Sequence, residues 1–116
     1  MFRILENSTE PSSKCGTIVT RYDLLVKTFG NPHKYVLDGA KVDVNWIIQF
    51  EDGTIAIIYN YKNGINYLGM YGIPVEEITN WQVNGENSRC VDLIERAIAE
   101  REGKQLDLFD HISKIK

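Results

Sequence analysis

At 116 residues, 43% hydrophobic and 25% charged, the chain has the make-up of one globular domain with room for a core. Its net charge of −3, with no block of Lys or Arg, argues against sequence-independent binding to duplex nucleic acid, and it is too weakly acidic for a DNA mimic. No apolar run approaches ~18 residues, which excludes a membrane-spanning helix.

The opening residues, MFRILENSTE, lack an apolar core segment and a cleavage site, so no secretion signal is expected. Phe2–Glu6 reads as an edge strand and Asn7–Lys14 as a polar loop. Cys15–Val19 leads into a first helix, with Thr20 as its N-cap and Asp23 three residues on, close to a capping box. Tyr22, Leu25 and Phe29 share one helical face. Gly30-Asn31-Pro32 ends that helix, because Gly suits the C-terminal cap and Pro cannot continue. His33–Lys41 is read as a loop.

Val42–Tyr61 organises the chain. Val42, Val44, Trp46, Ile48 and Phe50 alternate with Asp43, Asn45, Ile47 and Gln49, as in a strand with one buried face. Glu51-Asp52-Gly53-Thr54 is a hairpin turn, and Ile55–Tyr61 returns with Ile55, Ile57, Tyr59 and Tyr61 on one side. Lys62-Asn63-Gly64 is a second turn signal, so Ile65–Leu68 is expected to add a third strand of a meander. One face of such a sheet needs a helix or a second copy of the chain to cover it.

The glycines and Pro74 of GMYGIPVEE break regularity, and Pro74 opens one helical turn through Ile78. Thr79–Val83 alternates again as a further strand, with Thr79, Trp81 and Val83 on one side. Asn84-Gly85 turns the chain, and Asn87 or Ser88 caps a second helix. Val91, Ile94, Ala97 and Ile98 form its buried stripe, Asp92–Arg96 and Arg96–Glu100 are i,i+4 contacts on its wet side, and Gly103 is its expected stop. The fold class is therefore α+β: a two-layer domain over 1–104, with an antiparallel meander of four to five strands and two main helices, followed by a C-terminal tail over 105–116.

Chemistry finds little support. Cys15 with His33, or Cys90 with His111, can be written as thiol–imidazole pairs, but neither has the local context of a nucleophile. The two cysteines read as free thiols and small buried hydrophobes in a reducing compartment. Two Cys and two His without paired spacing make no metal ligand set, so no metal, cofactor or catalytic residue is expected. Glu51-Asp52 is explained by the turn, and Glu76-Glu77 by a helix N-terminus.

Two constellations point to binding. Tyr59, Tyr61, Tyr67, Tyr71 and Trp81 could line an exposed face, anchoring a protein partner or stacking bases. Lys62 is the only nearby base, which weakens the nucleic-acid version, and cross-strand packing in the core is the competing role for these rings. In the tail, Gln105-Leu106-Asp107-Leu108-Phe109 resembles the pentapeptide with which bacterial proteins bind the sliding clamp. That resemblance implies polar contacts from Gln105 and pocket filling by Leu106, Leu108 and Phe109. The competing role is a short amphipathic helix docking on its own domain through Leu108, Ile112 and Ile115.

The order helix, Phe29-Gly30-Asn31-Pro32, strand, Asp52-Gly53, strand is similar to β-lactamase-inhibitor-like and outer-membrane-assembly lipoprotein repeats, a likeness of fold that implies binding. A second likeness spans Gly16 to Gly85. Its carriers are Thr20-Arg21-Tyr22-Asp23-Leu24-Leu25-Val26, Phe29-Gly30-Asn31-Pro32, Val42-Asp43-Val44-Asn45-Trp46, Phe50-Glu51-Asp52-Gly53-Thr54, Ile58-Tyr59-Asn60-Tyr61-Lys62 and Glu77-Ile78-Thr79-Asn80-Trp81. Through these it resembles small proteins of large DNA viruses of amoebae, of the marseillevirus and mimivirus kind, and of tailed phages. Those proteins tend to carry Tyr-Asn-Trp-Lys and Trp-His-x-Gly-Gly, where this chain has Tyr59-Asn60-Tyr61-Lys62 and Trp81-Gln82-Val83-Asn84-Gly85. The resemblance implies a virus-encoded accessory or virion protein, in the host cytoplasm or the virion.

The expected function is thus a small non-enzymatic protein-interaction module that forms a homodimer. The alternatives are a phage factor engaging the bacterial sliding clamp and a single-stranded nucleic-acid binder.

Overall fold

The structure is a computed structural model that describes residues 2–6 and 13–115, with side chains described as far as 103. Six strands form one sheet: β1 (Phe2–Leu5), β2 (Lys14–Val19), β3 (His33–Lys34), β4 (Val44–Phe50), β5 (Ile55–Tyr59) and β6 (Asn80–Gly85). The main helices are α1 (Tyr22–Phe29) and α3 (Arg89–Ile115); α2 (Ile65–Leu68) is a single turn. The sheet runs β1-β4-β5-β6-β2, with β3 also beside β4, and every strand pairing is antiparallel.

The period-two pattern places the core. Trp46 lies opposite Ile58, Ile58 opposite Val83, and Ile18 opposite Trp81, so these side chains share one face. Leu25 and Phe29 of α1 and Cys90, Ile94 and Ile98 of α3 cover that face and join it in one buried cluster. This is an α+β architecture in two layers. Two indoles fasten α1 to the sheet: Trp46 Nε1 donates to the Gly30 carbonyl at 2.8 Å and Trp81 Nε1 to the Thr20 carbonyl at 3.0 Å, one beyond each end of the helix. Their rings meet edge to face at 5.5 Å, with Tyr22 against both.

Several local expectations are corrected. Cys15–Val19 lies in strand β2, paired with β6, and not in a lead-in; its register shifts between Lys14 and Gly16, which hides the alternation. His33–Lys34 pairs briefly with β4 instead of looping throughout. Thr20 does not cap α1: its N–H donates to the Thr79 carbonyl, Arg21 holds the cap position, and no side chain caps the helix. Gly30 does end the helix, at φ 87°. Ile65–Leu68 is helical, not a third strand, because the place beside β5 belongs to β6. Its apolar run therefore lies outside the sheet.

Asn87 accepts the Arg89 N–H through Oδ1 and so caps α3, and the Asp92–Arg96 pair forms at 3.1 Å. Gly103 does not stop α3, which continues to Ile115. A helix end on Gly usually needs positive φ; the glycines with positive φ are Gly30, Gly39, Gly53 and Gly69, and Gly103 is not among them.

Candidate protein-interaction surface

Asn60 is the pivot of the candidate site. It follows β5, is fully buried, and uses its whole amide. Its Oδ1 accepts the N–H groups of Asp43 at 2.9 Å and Val44 at 3.1 Å, while Nδ2 donates to Asp43 Oδ1 and Asn63 Oδ1. The chain turns out of the sheet here, with Lys62 at φ 61° and its N–H on the Lys41 carbonyl. Asp43 Oδ2 then accepts the Asn66 N–H at the start of α2. Asn66 Nδ2 donates to the carbonyls of Tyr35 and Val42, and the Asn66 carbonyl accepts the Gly39 N–H. Gly64 belongs to the same lock, since a Cβ there would run into the Asp43 carboxylate and the Asn60 amide. Two loops far apart in sequence are thereby held against each other.

What these loops present is apolar. Val36 and Met70 are each 89% exposed and Tyr71 85%. Leu37, Ile65 and Ile73 are exposed as well. Ile73 is anchored through its backbone, its N–H on the Asn63 carbonyl. Scattered exposed hydrophobics are ordinary, but large ones gathered on two tied segments are the mark of a contact surface. Among charged groups, Lys62 Nζ lies 5.3 Å from the Tyr61 ring and 5.8 Å from the Tyr67 ring, so its charge is directed onto the two faces.

Tyr61 and Tyr67 are therefore at this surface, as their sequence positions suggested. Tyr59 is only half-buried; it meets Tyr61 edge to face at 6.2 Å and donates its hydroxyl to Asn84 Oδ1 at 2.8 Å. Burial, with Tyr61 beside it, pushes the Tyr59 phenol above its ordinary value. Beside these rings is a depression of about 190 Å³ lined by Tyr35, Asn45 and Ile57 among others. Asn45 is buried there, with Nδ2 on the Tyr35 hydroxyl.

Trp81 does not belong to the surface. It is fully buried, its ring packed on Trp46 and its N–H bonded, so the expectation that it anchors a partner is corrected. Gln105, Leu106, Leu108 and Phe109 fall on the stretch of α3 whose side chains lie outside the described residues. Val36, Leu37, Met70 and Ile73 had no place in the sequence expectation. Their signal was available: apolar residues among Gly and Pro have no strand or helix period to bury them.

The thiol–imidazole pairings are not brought together within the described residues. Cys15 lies in β2 at one side of the sheet and His33 pairs with Asn45 on β4, with β5 and β6 between; His111 lies outside the described side chains. Among the described residues, no group of three or more His, Cys, Asp or Glu is placed to hold a metal ion, and no helix is long and apolar enough to cross a membrane. No protein-family model and no curated protein matches the chain.

Proposed function

We propose that this is a small, non-enzymatic interaction protein whose apolar surface, carried by residues 35–37 and 61–73, binds protein, and that its first partner is a second copy of itself. The observation that carries this is the exposure of Val36, Met70 and Tyr71 on segments that hydrogen bonds from Asn60 and Asn66 tie together. An apolar surface on tied segments loses less entropy on binding than one on free loops, and a mixture of Tyr, Met and aliphatic residues is the usual composition of an interface centre. Isologous pairing is the commonest way for such a surface to be covered, because a two-fold axis sets it against itself. A virus-encoded accessory or virion role accords with the resemblance over Gly16–Gly85.

Light scattering tests the pairing. The wild-type chain is expected at twice its 13.3 kDa mass at high concentration. Met70→Asp/Tyr71→Asp, at two largely exposed positions, should run as a folded monomer whose melting temperature, unlike that of the wild type, does not rise with concentration. A wild-type chain that stays at 13.3 kDa throughout removes the dimer. Sliding-clamp binding through Gln105, Leu106, Leu108 and Phe109 predicts instead that purified bacterial clamp retains the chain and releases the Leu108→Ala/Phe109→Ala variant. Single-strand binding loses Trp81, which is in the core, and the lysine that meets its tyrosines, Lys62, lies over the Tyr61 and Tyr67 rings.

A further inference from the structure

Cys15 and Cys90 are far apart in sequence, yet the fold brings them together. Cys15 sits where the register of β2 against β6 shifts, and Cys90 is in the first turn of α3. Both converge on one carbonyl: the Cys15 thiol donates to the Asn87 oxygen, and the Cys90 N–H reaches the same oxygen at 3.2 Å. Gly85 lies between them. A Cβ placed there would strike Cys90 Sγ and stand 3.6 Å from Cys15 Sγ, so both sulfurs lie within 3.6 Å of a single point that only glycine leaves empty. Both thiols are free. Cys15 is half-buried, whereas Cys90 is fully buried. Burial pushes the Cys90 thiol up, and the Cys15 thiol beside it adds to the shift.

We infer that Cys15 and Cys90 form a dithiol site that closes to an intramolecular disulfide on exchange with a small disulfide such as oxidised glutathione. The more accessible Cys15 loses its proton and its thiolate attacks one sulfur of the oxidant, releasing one glutathione thiolate and leaving a mixed disulfide on Cys15. Cys90 then loses its proton, its sulfur attacks Cys15 Sγ, and the second glutathione thiolate leaves. Both thiolates take up the released protons. The protein loses two hydrogens, and one oxidised glutathione becomes two reduced molecules. The new bond joins β2 to the start of α3, so the site responds to the redox state of its surroundings by cross-linking the sheet to its covering helix.

The folded full-length chain is incubated with oxidised glutathione, and intact mass, free thiols and proteolytic peptides are followed. Wild type should lose the mass of two hydrogens, lose both alkylatable thiols, and yield Cys15 and Cys90 peptides joined to each other. Cys90→Ala should stop at the mixed disulfide and keep one glutathione on Cys15, while Cys15→Ala should stay unmodified until denatured. Wild type that keeps a bound glutathione, forms disulfide-linked dimers, or stays fully reduced overturns the inference. The wild-type peptide map decides this by itself should either alanine variant fail to fold.

Discussion

Asn60 has no route to solvent, so its entire hydrogen-bonding capacity has to be met inside the protein, and it is. Removing it strands two backbone N–H groups, one carboxylate oxygen and the Asn63 amide oxygen, and an unsatisfied buried donor costs more than a formed bond returns. Asn60→Ala should therefore lower unfolding stability by about 3 kcal/mol in urea titration, and should weaken self-association as well because Asn66 and Asp43 lose their brace. A loss below about 1 kcal/mol would mean that water replaces the amide. None of this is visible in the local sequence. Asn60 reads only as one residue of the return strand Ile55–Tyr61, since its partners Asp43 and Val44 lie 17 and 16 residues earlier, at the start of β4. The same holds for Trp81. Alternation assigns it to one face with Val83, but no local signal says that this face is the covered one.

At the scale of elements, strong short-range signals were reliable. The β4–β5 hairpin, α1 with its Gly30 ending and the stripe Ile94, Ala97 and Ile98 could all be read directly. Strand β2 could not, because a bulge and Gly16 interrupt its pattern, and Ile65–Leu68 misled because its apolar residues are exposed instead of paired. The hairpin turn carries a charge dependence. The Thr54 N–H donates to Asp52 Oδ1 at 2.9 Å, and Arg89 lies 3.0 Å from Oδ2. The bond to Thr54 first, and Arg89 after it, hold the Asp52 carboxyl below its ordinary value. A carboxyl lowered by folding stabilises the protein above its unfolded pKa, and that contribution fades as pH falls through the folded one. Asp52→Asn should accordingly be slightly less stable than wild type at neutral pH and equal to it in strong acid; a gap independent of pH would assign the loss to geometry. Helix α3 offers a simpler test. Gly103 lies in its interior with open space where a Cβ would go, so Gly103→Ala should stabilise the protein by about 1 kcal/mol, read as a higher melting temperature. A lower one would mean that the helix needs the glycine.

Across the described residues, one sheet face carries α1, α3 and the core, while the apolar surface lies apart from them, on the segments after β3 and β5 that include α2. Its tyrosines were legible because Tyr59 and Tyr61 extend a strand pattern; its aliphatic half was not, because tertiary hydrogen bonds alone bring Leu37 near α2. The strand order has a consequence for how the chain is made. β1 and β2 come first in the chain and stand at opposite ends of the path β1-β4-β5-β6-β2. As the polypeptide emerges from the ribosome, β1 has nothing to pair with until β4 appears, and β2 waits for β6. The central hairpin can close at once and β1 can join it, so β2, made second, is the last strand to be seated. A nascent chain halted before Asn80 should hold the β4–β5 ladder and leave Ile18 exposed to a protease that the finished protein resists.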